Sequence, residues 1–165
     1  MCMSDLTQQA PPVPRAWLMR EPGRLIGKGH PAGDFLQAYE WHVLKEDQGF
    51  LRIRAHVPAH VKNPRGQMFG GFTPTYVDLV GLFTVWAGAE RRDPRSRSWL
   101  ATTNLRVDYF EPIVGPEFII ESRLVKKRGR TMFVETRFFD PEDTLAVFAL
   151  TTMREVKLDR PLGDV

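Results

Sequence analysis

The stretch "NPRGQMFGGFTPTYVDLVGLFTVWAG", residues 63–88, decides how this chain folds. After Arg65 nearly every position is apolar, small or hydroxylic, and Asp78 is the only charge. A run of this kind from Met68 to Ala89 reaches the roughly 20 residues that span a bilayer. Asp78, four glycines, a proline and several threonines argue against that reading. A helix apolar on almost every face can instead be buried at the centre of a globular protein. The pattern predicts a helix from about Gly71 to Glu90, opened by paired glycines, with Pro74 in the first turn where proline is tolerated.

The flanking sequence reads as strands. "AYEWHVLKED" sets Tyr39, Trp41 and Val43 against Glu40 and His42. "FLRIRAHV" sets Leu51, Ile53, Ala55 and Val57 against Arg52, Arg54 and His56. With "QG" at 48–49 between them, the two runs predict a β-hairpin with one buried face. Beyond the charged loop "RRDPRSRS" come "LATTNLRVDYFEPI", "PEFIIESRLVKK", "TMFVETRFFD" and "LAVFALTTMREVK", joined by short turns such as "RGR" and "PEDT". Short joins make the sheet antiparallel. A sheet with one apolar face has to cover it, and only one helix is present to do so. The expected class is therefore α+β, a curved antiparallel β-sheet wrapped around one long central α-helix. Its remaining face and edge would be liabilities in a monomer, so a homodimer or a dimer of dimers is expected.

Composition bounds the function. The chain has 165 residues, 42% hydrophobic and 11% aromatic, which suits one domain with a real core. Residues 1–33, rich in Pro and Gly, are expected to form an irregular N-terminal arm on the surface, and residues 34–165 a single domain. Net charge is +3, too mild for a nucleic-acid footprint but suited to an anionic small ligand. The charged loop lacks the aromatic interleaving of an RNA-stacking surface. Cys2 is the only cysteine, so no intrachain disulfide forms, which fits a reducing compartment. The first residues show neither a basic n-region nor an apolar h-region. A cytoplasmic protein with no membrane insertion is expected. No G-x-S-x-G, H-E-x-x-H, G-x-G-x-x-G or P-loop occurs, so a serine α/β-hydrolase and a zinc site are unsupported and no metal is expected.

The residues that carry chemistry lie around the opening stretch. A carboxylate in an apolar helix needs a partner, a water or a cleft. Asp78 is thus a candidate general base or nucleophile; the plainer reading is an acid paired with an arginine at a subunit interface. The amides of Gly70 and Gly71 open the helix, unpaired and at its positive end, where they could hold an oxyanion; the plainer reading is a glycine turn. "KKRGR" at 126–130 offers cations around a glycine, suited to phosphate or simply solvated.

The layout resembles the hotdog fold, and the stretch resembles the PaaI-like branch of acyl-CoA thioesterases. That branch carries Asn, Gly three later, His-Gly-Gly, and Asp eight residues after the first of the paired glycines. Asn63, Gly66, Gly70, Gly71 and Asp78 stand at matching positions, and the resemblance spans about residues 38–157. It implies hydrolysis of an acyl-CoA, with the Gly70 amide as oxyanion donor and Asp78 as base or nucleophile. Asn63 would orient the carbonyl or the water across the dimer interface, and Thr102 would position water. It implies further that Gly71 and Phe69 touch substrate and that Arg128, Gly129 and Arg130 meet the nucleotide end. No cofactor is implied; CoA enters as part of the substrate. The chain departs from the branch at Phe69, where His is usual. Leu82, one turn past Asp78, offers no hydroxyl and the acid is not Glu, so the 4-hydroxybenzoyl branch is not implied. Two alternatives stand beside the thioesterase. One is a non-catalytic acyl-CoA binder, which Phe69 suggests. The other is a hotdog hydratase or dehydratase, which would use a His that Val61 to Glu90 does not contain. Phe69, Phe72, Phe83 and Trp86 fit an acyl pocket or the core equally well.

Overall fold

The computed structural model describes residues 16–88 and 98–157. Its strands are β1 (His42–Asp47), β2 (Phe50–His56), β3 (Ser98–Tyr109), β4 (Glu117–Arg128), β5 (Thr131–Phe139) and β6 (Leu145–Lys157). A short helix α1 (Pro31–Phe35) precedes β1, and the long helix α2 (Thr73–Trp86) lies between β2 and β3. The strands form one six-stranded sheet in the order β1-β2-β4-β5-β6-β3, and every pair is antiparallel. This is the hotdog arrangement, two strands, the helix, then four strands. β1 begins at His42 rather than near Tyr39, because Ala38–Glu40 makes a 3₁₀ turn instead.

Alternation places the core. On β5, Met132, Val134, Thr136 and Phe138 are buried while Phe133 and Arg137 face out. Tyr76, Val77, Leu79, Val80 and Thr84 of α2 are buried against that inner face. Tyr76 stacks on Trp41 at 5.1 Å between centroids, meets Phe118 and Phe138 edge-on, and donates to the His56 carbonyl at 3.0 Å. Each large apolar side chain buried in this way contributes roughly 1.5–3 kcal/mol. Gly81 lets helix and sheet close up, since a Cβ there would lie 2.7 Å from the Met153 methyl.

The helix differs from expectation at both ends. Gly70–Phe72 forms a 3₁₀ turn and α2 proper starts at Thr73. It stops at Trp86 because Ala87 turns extended (ψ 135°) and Gly88 is left-handed (φ 69°), and the Gly49 amide donates to the Ala87 carbonyl at 3.0 Å. Glu90 lies outside the described residues. The helix is also less enclosed than its composition implies. Pro74, Thr75, Asp78, Leu82 and Val85 are only half-buried, although Leu82 and Val85 pack against the cluster of Leu100, Met132 and Met153 on the sheet.

The segment expected to lie on the surface partly enters the core. Leu25 and Ile26 are buried, and Trp17 meets Phe83 edge-on at 6.3 Å. Cys2 lies outside the described residues. The outer face of the sheet carries the ion pairs Arg52–Glu121, Arg106–Asp108 and Arg137–Glu135 beside the exposed apolar side chains Phe133 and Leu150. Exposed pairs of this kind contribute about 0–1 kcal/mol each.

Candidate active site

The loop before α2 is built on Asn63. Its Oδ1 accepts from the amides of Arg65 (2.9 Å) and Gln67 (3.1 Å), and its Nδ2 donates to Gln67 Oε1 (3.2 Å). Gly66, at φ 77°, lets the chain reverse. The Asn63 amide then donates to the Gln67 carbonyl (2.7 Å) and the Phe69 amide to the Val61 carbonyl (2.9 Å). The small hairpin so made delivers Phe69 and the two glycines to the head of the helix. Among the described residues, the hydrogen bonds of the Asn63 side chain all stay inside this loop.

At the helix head the amides of Gly70 and Gly71 donate to nothing among the described residues. First-turn amides lack intrahelical acceptors and carry the positive end of the helix dipole. The Gly70 carbonyl, by contrast, is doubly engaged. It accepts from the Thr73 amide and from the Tyr109 hydroxyl at 2.7 Å. Phe69 lies over Gly71 so closely that a Cβ there would be 2.7 Å from its ring. Phe69 is 53% exposed, its ring edge-on to Phe72 (5.8 Å), which in turn meets Phe35 (5.4 Å). Beside Gly70 opens a cleft of about 300 Å³, lined among others by Met68, Tyr109, Phe110 and Ile113. A larger hollow of about 570 Å³, by Arg54, Ile119 and Asp140, shares no residue with this site.

Asp78 and Thr102 are brought together. The Thr102 hydroxyl donates to Asp78 Oδ1, and Oδ2 accepts nothing among the described residues. Asp78 is half-exposed in the single chain rather than sunk in a dry core. Thr102 stands on edge strand β3, just before a register shift between Thr102 and Asn104. It shares a row with Met153 of β6 and Met132 of β5, both buried, so it projects toward the helix side. Gly70 and Asp78, eight positions apart, are separated by about 12 Å at 1.5 Å per residue. They cannot touch the same carbonyl within one chain.

Gly129, at φ 58°, opens the two-residue β4–β5 turn, and nothing lies within 4 Å of where its Cβ would be. Arg128 and Arg130 are exposed. β5 leaves the turn one residue before the row Met132–Met153–Thr102, in which Met132 is about 10 Å from Thr102, two strand spacings away. Arg154, paired with Thr131 across the ladder, adds an exposed cation that the linear sequence does not associate with the turn. Tyr109 was also hidden from sequence reading. Within "LRVDYFEPI" it is one more strand aromatic, and only the crossing of β3 to the helix head gives it a partner. Among the described residues no group of His, Cys, Asp or Glu is placed to hold a metal ion. No helix among them is long and apolar enough to cross a membrane.

Residues 65–147 match the family model described as thioesterase superfamily. Similar solved structures include a hypothetical thioesterase of Streptococcus pneumoniae with coenzyme A, 16% identical, covering 73% of this chain and 89% of that one, with a TM-score of 0.61. A thioesterase of Haemophilus influenzae is 11% identical over 79% of this chain and 86% of its own, at a TM-score of 0.65. A Streptococcus mutans protein bound to acetyl-CoA is 16% identical over 73% and 92%, at 0.60. No curated protein matches the chain significantly.

Proposed function

The chain belongs to the thioesterase superfamily, and from that premise we propose that it is a cytoplasmic, PaaI-like acyl-CoA thioesterase acting as a homodimer or a dimer of dimers. The observation that carries the reading is Asp78, fixed at Oδ1 by Thr102 and open at Oδ2, on the half-exposed face of a helix whose first amides are unpaired.

In this reading the thioester carbonyl oxygen points at the Gly70 amide, with Gly71 and Phe69 against the substrate. Asp78 takes a proton from a water whose oxygen bonds to the carbonyl carbon, or attacks that carbon itself. The developing oxyanion is held by the amide. It collapses as the C–S bond breaks, and CoA leaves as a thiolate that is then protonated. Hydrolysis completes the attack by Asp78, releasing the free acid. The separation of Gly70 from Asp78 requires that the two come from different chains, with Asn63 reaching the reacting group from the chain that supplies Gly70. Arg128, Gly129 and Arg130, with Arg154 beside them, receive the phosphates of CoA. The reaction calls for no cofactor.

The test is CoA release, read with a thiol reagent, over acetyl-, octanoyl- and phenylacetyl-CoA. Asp78→Asn and Asp78→Ala are expected to lose roughly 100- to 10,000-fold in kcat with an unchanged melting temperature. Variants as fast as the wild type would remove Asp78 from the chemistry. The ring of Phe69 over Gly71 favours one second reading, a non-catalytic acyl-CoA binder. Saturable binding without turnover would establish that instead.

A further inference from the structure

We propose that Tyr109 is a positioning residue for the oxyanion site, and that it makes the Gly71 amide a second donor beside that of Gly70. The inference rests on the thioesterase reading above and adds to it a residue from the far end of β3.

The peptide joining Gly70 to Gly71 contains the Gly70 carbonyl and the Gly71 N–H. In a trans peptide these groups point in opposite directions from one rigid plane. The carbonyl is held by two donors, the Thr73 amide and the Tyr109 hydroxyl at 2.7 Å. Its plane is therefore fixed, and the Gly71 N–H is fixed with it, facing outward with no partner among the described residues. A Gly-Gly pair is the least restrained backbone a chain can have, so a donor built there needs a brace from outside. Tyr109 is that brace. Its ring also lies against Gly70, 3.5 Å from where a Cβ would sit.

Two effects follow. Oxyanion stabilisation depends on donors already oriented before charge develops, and the brace supplies that orientation. Hydrogen bonding at a carbonyl also polarises its amide and strengthens the N–H on the other side, by about 10–30% per bond. β3 then serves both halves of the chemistry, since the same strand places Thr102 against Asp78.

Tyr109→Phe keeps the ring and removes the hydroxyl. On the best of acetyl-, octanoyl- and phenylacetyl-CoA, kcat should fall roughly 5- to 30-fold, less than the 100- to 1,000-fold lost when a donor is deleted outright. KM should stay within about twofold, because the brace acts on the charge that appears only in the transition state. In ¹H–¹⁵N spectra of the free protein the Gly71 amide signal should move upfield. A variant with wild-type kcat overturns the proposal, as does an unmoved Gly71 signal. So does a loss shared by kcat, KM and melting temperature, which marks a structural role. A wild type that cleaves none of the three substrates overturns the thioesterase reading and this proposal together.

Discussion

A carboxylate on an apolar helix needs polar company, and Thr102 gives Asp78 one hydrogen bond across a sequence separation of 24 residues. Asp78 was legible from its offset to the glycine pair, whereas Thr102 was named through resemblance alone. Tyr109 and Arg154 were not legible, since their relevance depends on which strand lies beside which. Asn63 was legible as a loop residue, and its four-residue turn to Gln67 is local enough to be coded by sequence alone. A further residue, His56, shows how a group outside the site sets the acid response of the fold. Burial pushes its pKa below the usual 6.5, with Glu40 and Glu117 pulling the other way. It holds Gln37 Oε1 at 3.0 Å. Below that usual value the unfolded chain takes up a proton that the folded chain resists, so stability falls as the pH drops and rises again with pH. Melting temperature should decline between about pH 7 and pH 5, and His56→Gln should remove part of that slope. Identical slopes for the two proteins would show that His56 does not couple folding to pH.

Among the elements, β2, β5 and the first half of β4 were readable because period-two alternation survives in them, whereas β1 lacks it, with Val43 alone half-buried; the turns at 48–49 and 128–130 were readable because glycine takes a left-handed φ there. The ends of α2 were only partly readable. Gly88 in "VWAGAE" is a glycine of the kind that ends helices, left-handed at φ 69°, and docking on the β1–β2 turn through Gly49 and Ala87 holds the stop there. Leu25 and Ile26 were equally hidden, since a Pro- and Gly-rich segment has no period from which burial can be inferred. Two glycines separate docking from turn geometry. Gly129→Ala meets only the left-handed penalty, about 1–2 kcal/mol, because no atom lies within 4 Å of its Cβ position. Gly88→Ala meets the same penalty at φ 69° and also backbone, 2.5 Å from the Gln48 nitrogen. Urea unfolding should therefore show Gly88→Ala losing at least about twice as much stability as Gly129→Ala. Equal losses would mean that the helix end is not seated on the hairpin.

At the scale of the whole molecule, the antiparallel sheet and its one long helix followed from short joins and one apolar run. The placement of β3 at the far edge did not, because the helix carries the chain across the sheet before it pairs with β6. That crossing leaves a 12-residue edge strand beside the half-exposed face bearing Asp78, an arrangement that two-fold pairing with a second copy would cover. The proposed dimer makes a prediction that a monomeric site does not. Gly70→Pro deletes one amide that bonds to nothing, at the head of a helix where proline is tolerated. Phe69 before it is already extended at φ −71°, ψ 124°, as a residue preceding proline should be. The variant should fold normally and lose roughly 100- to 1,000-fold in kcat, as Asp78→Asn does by another route. If each site takes Asp78 from one chain and Gly70 from the other, a mixed dimer of the two inactive variants concentrates both defects in one site and leaves the second intact. After unfolding and refolding the variants together, about half the dimers are mixed, and activity should return to about a quarter of wild type. If both groups came from the same chain, every site would keep a defect and mixing would restore nothing.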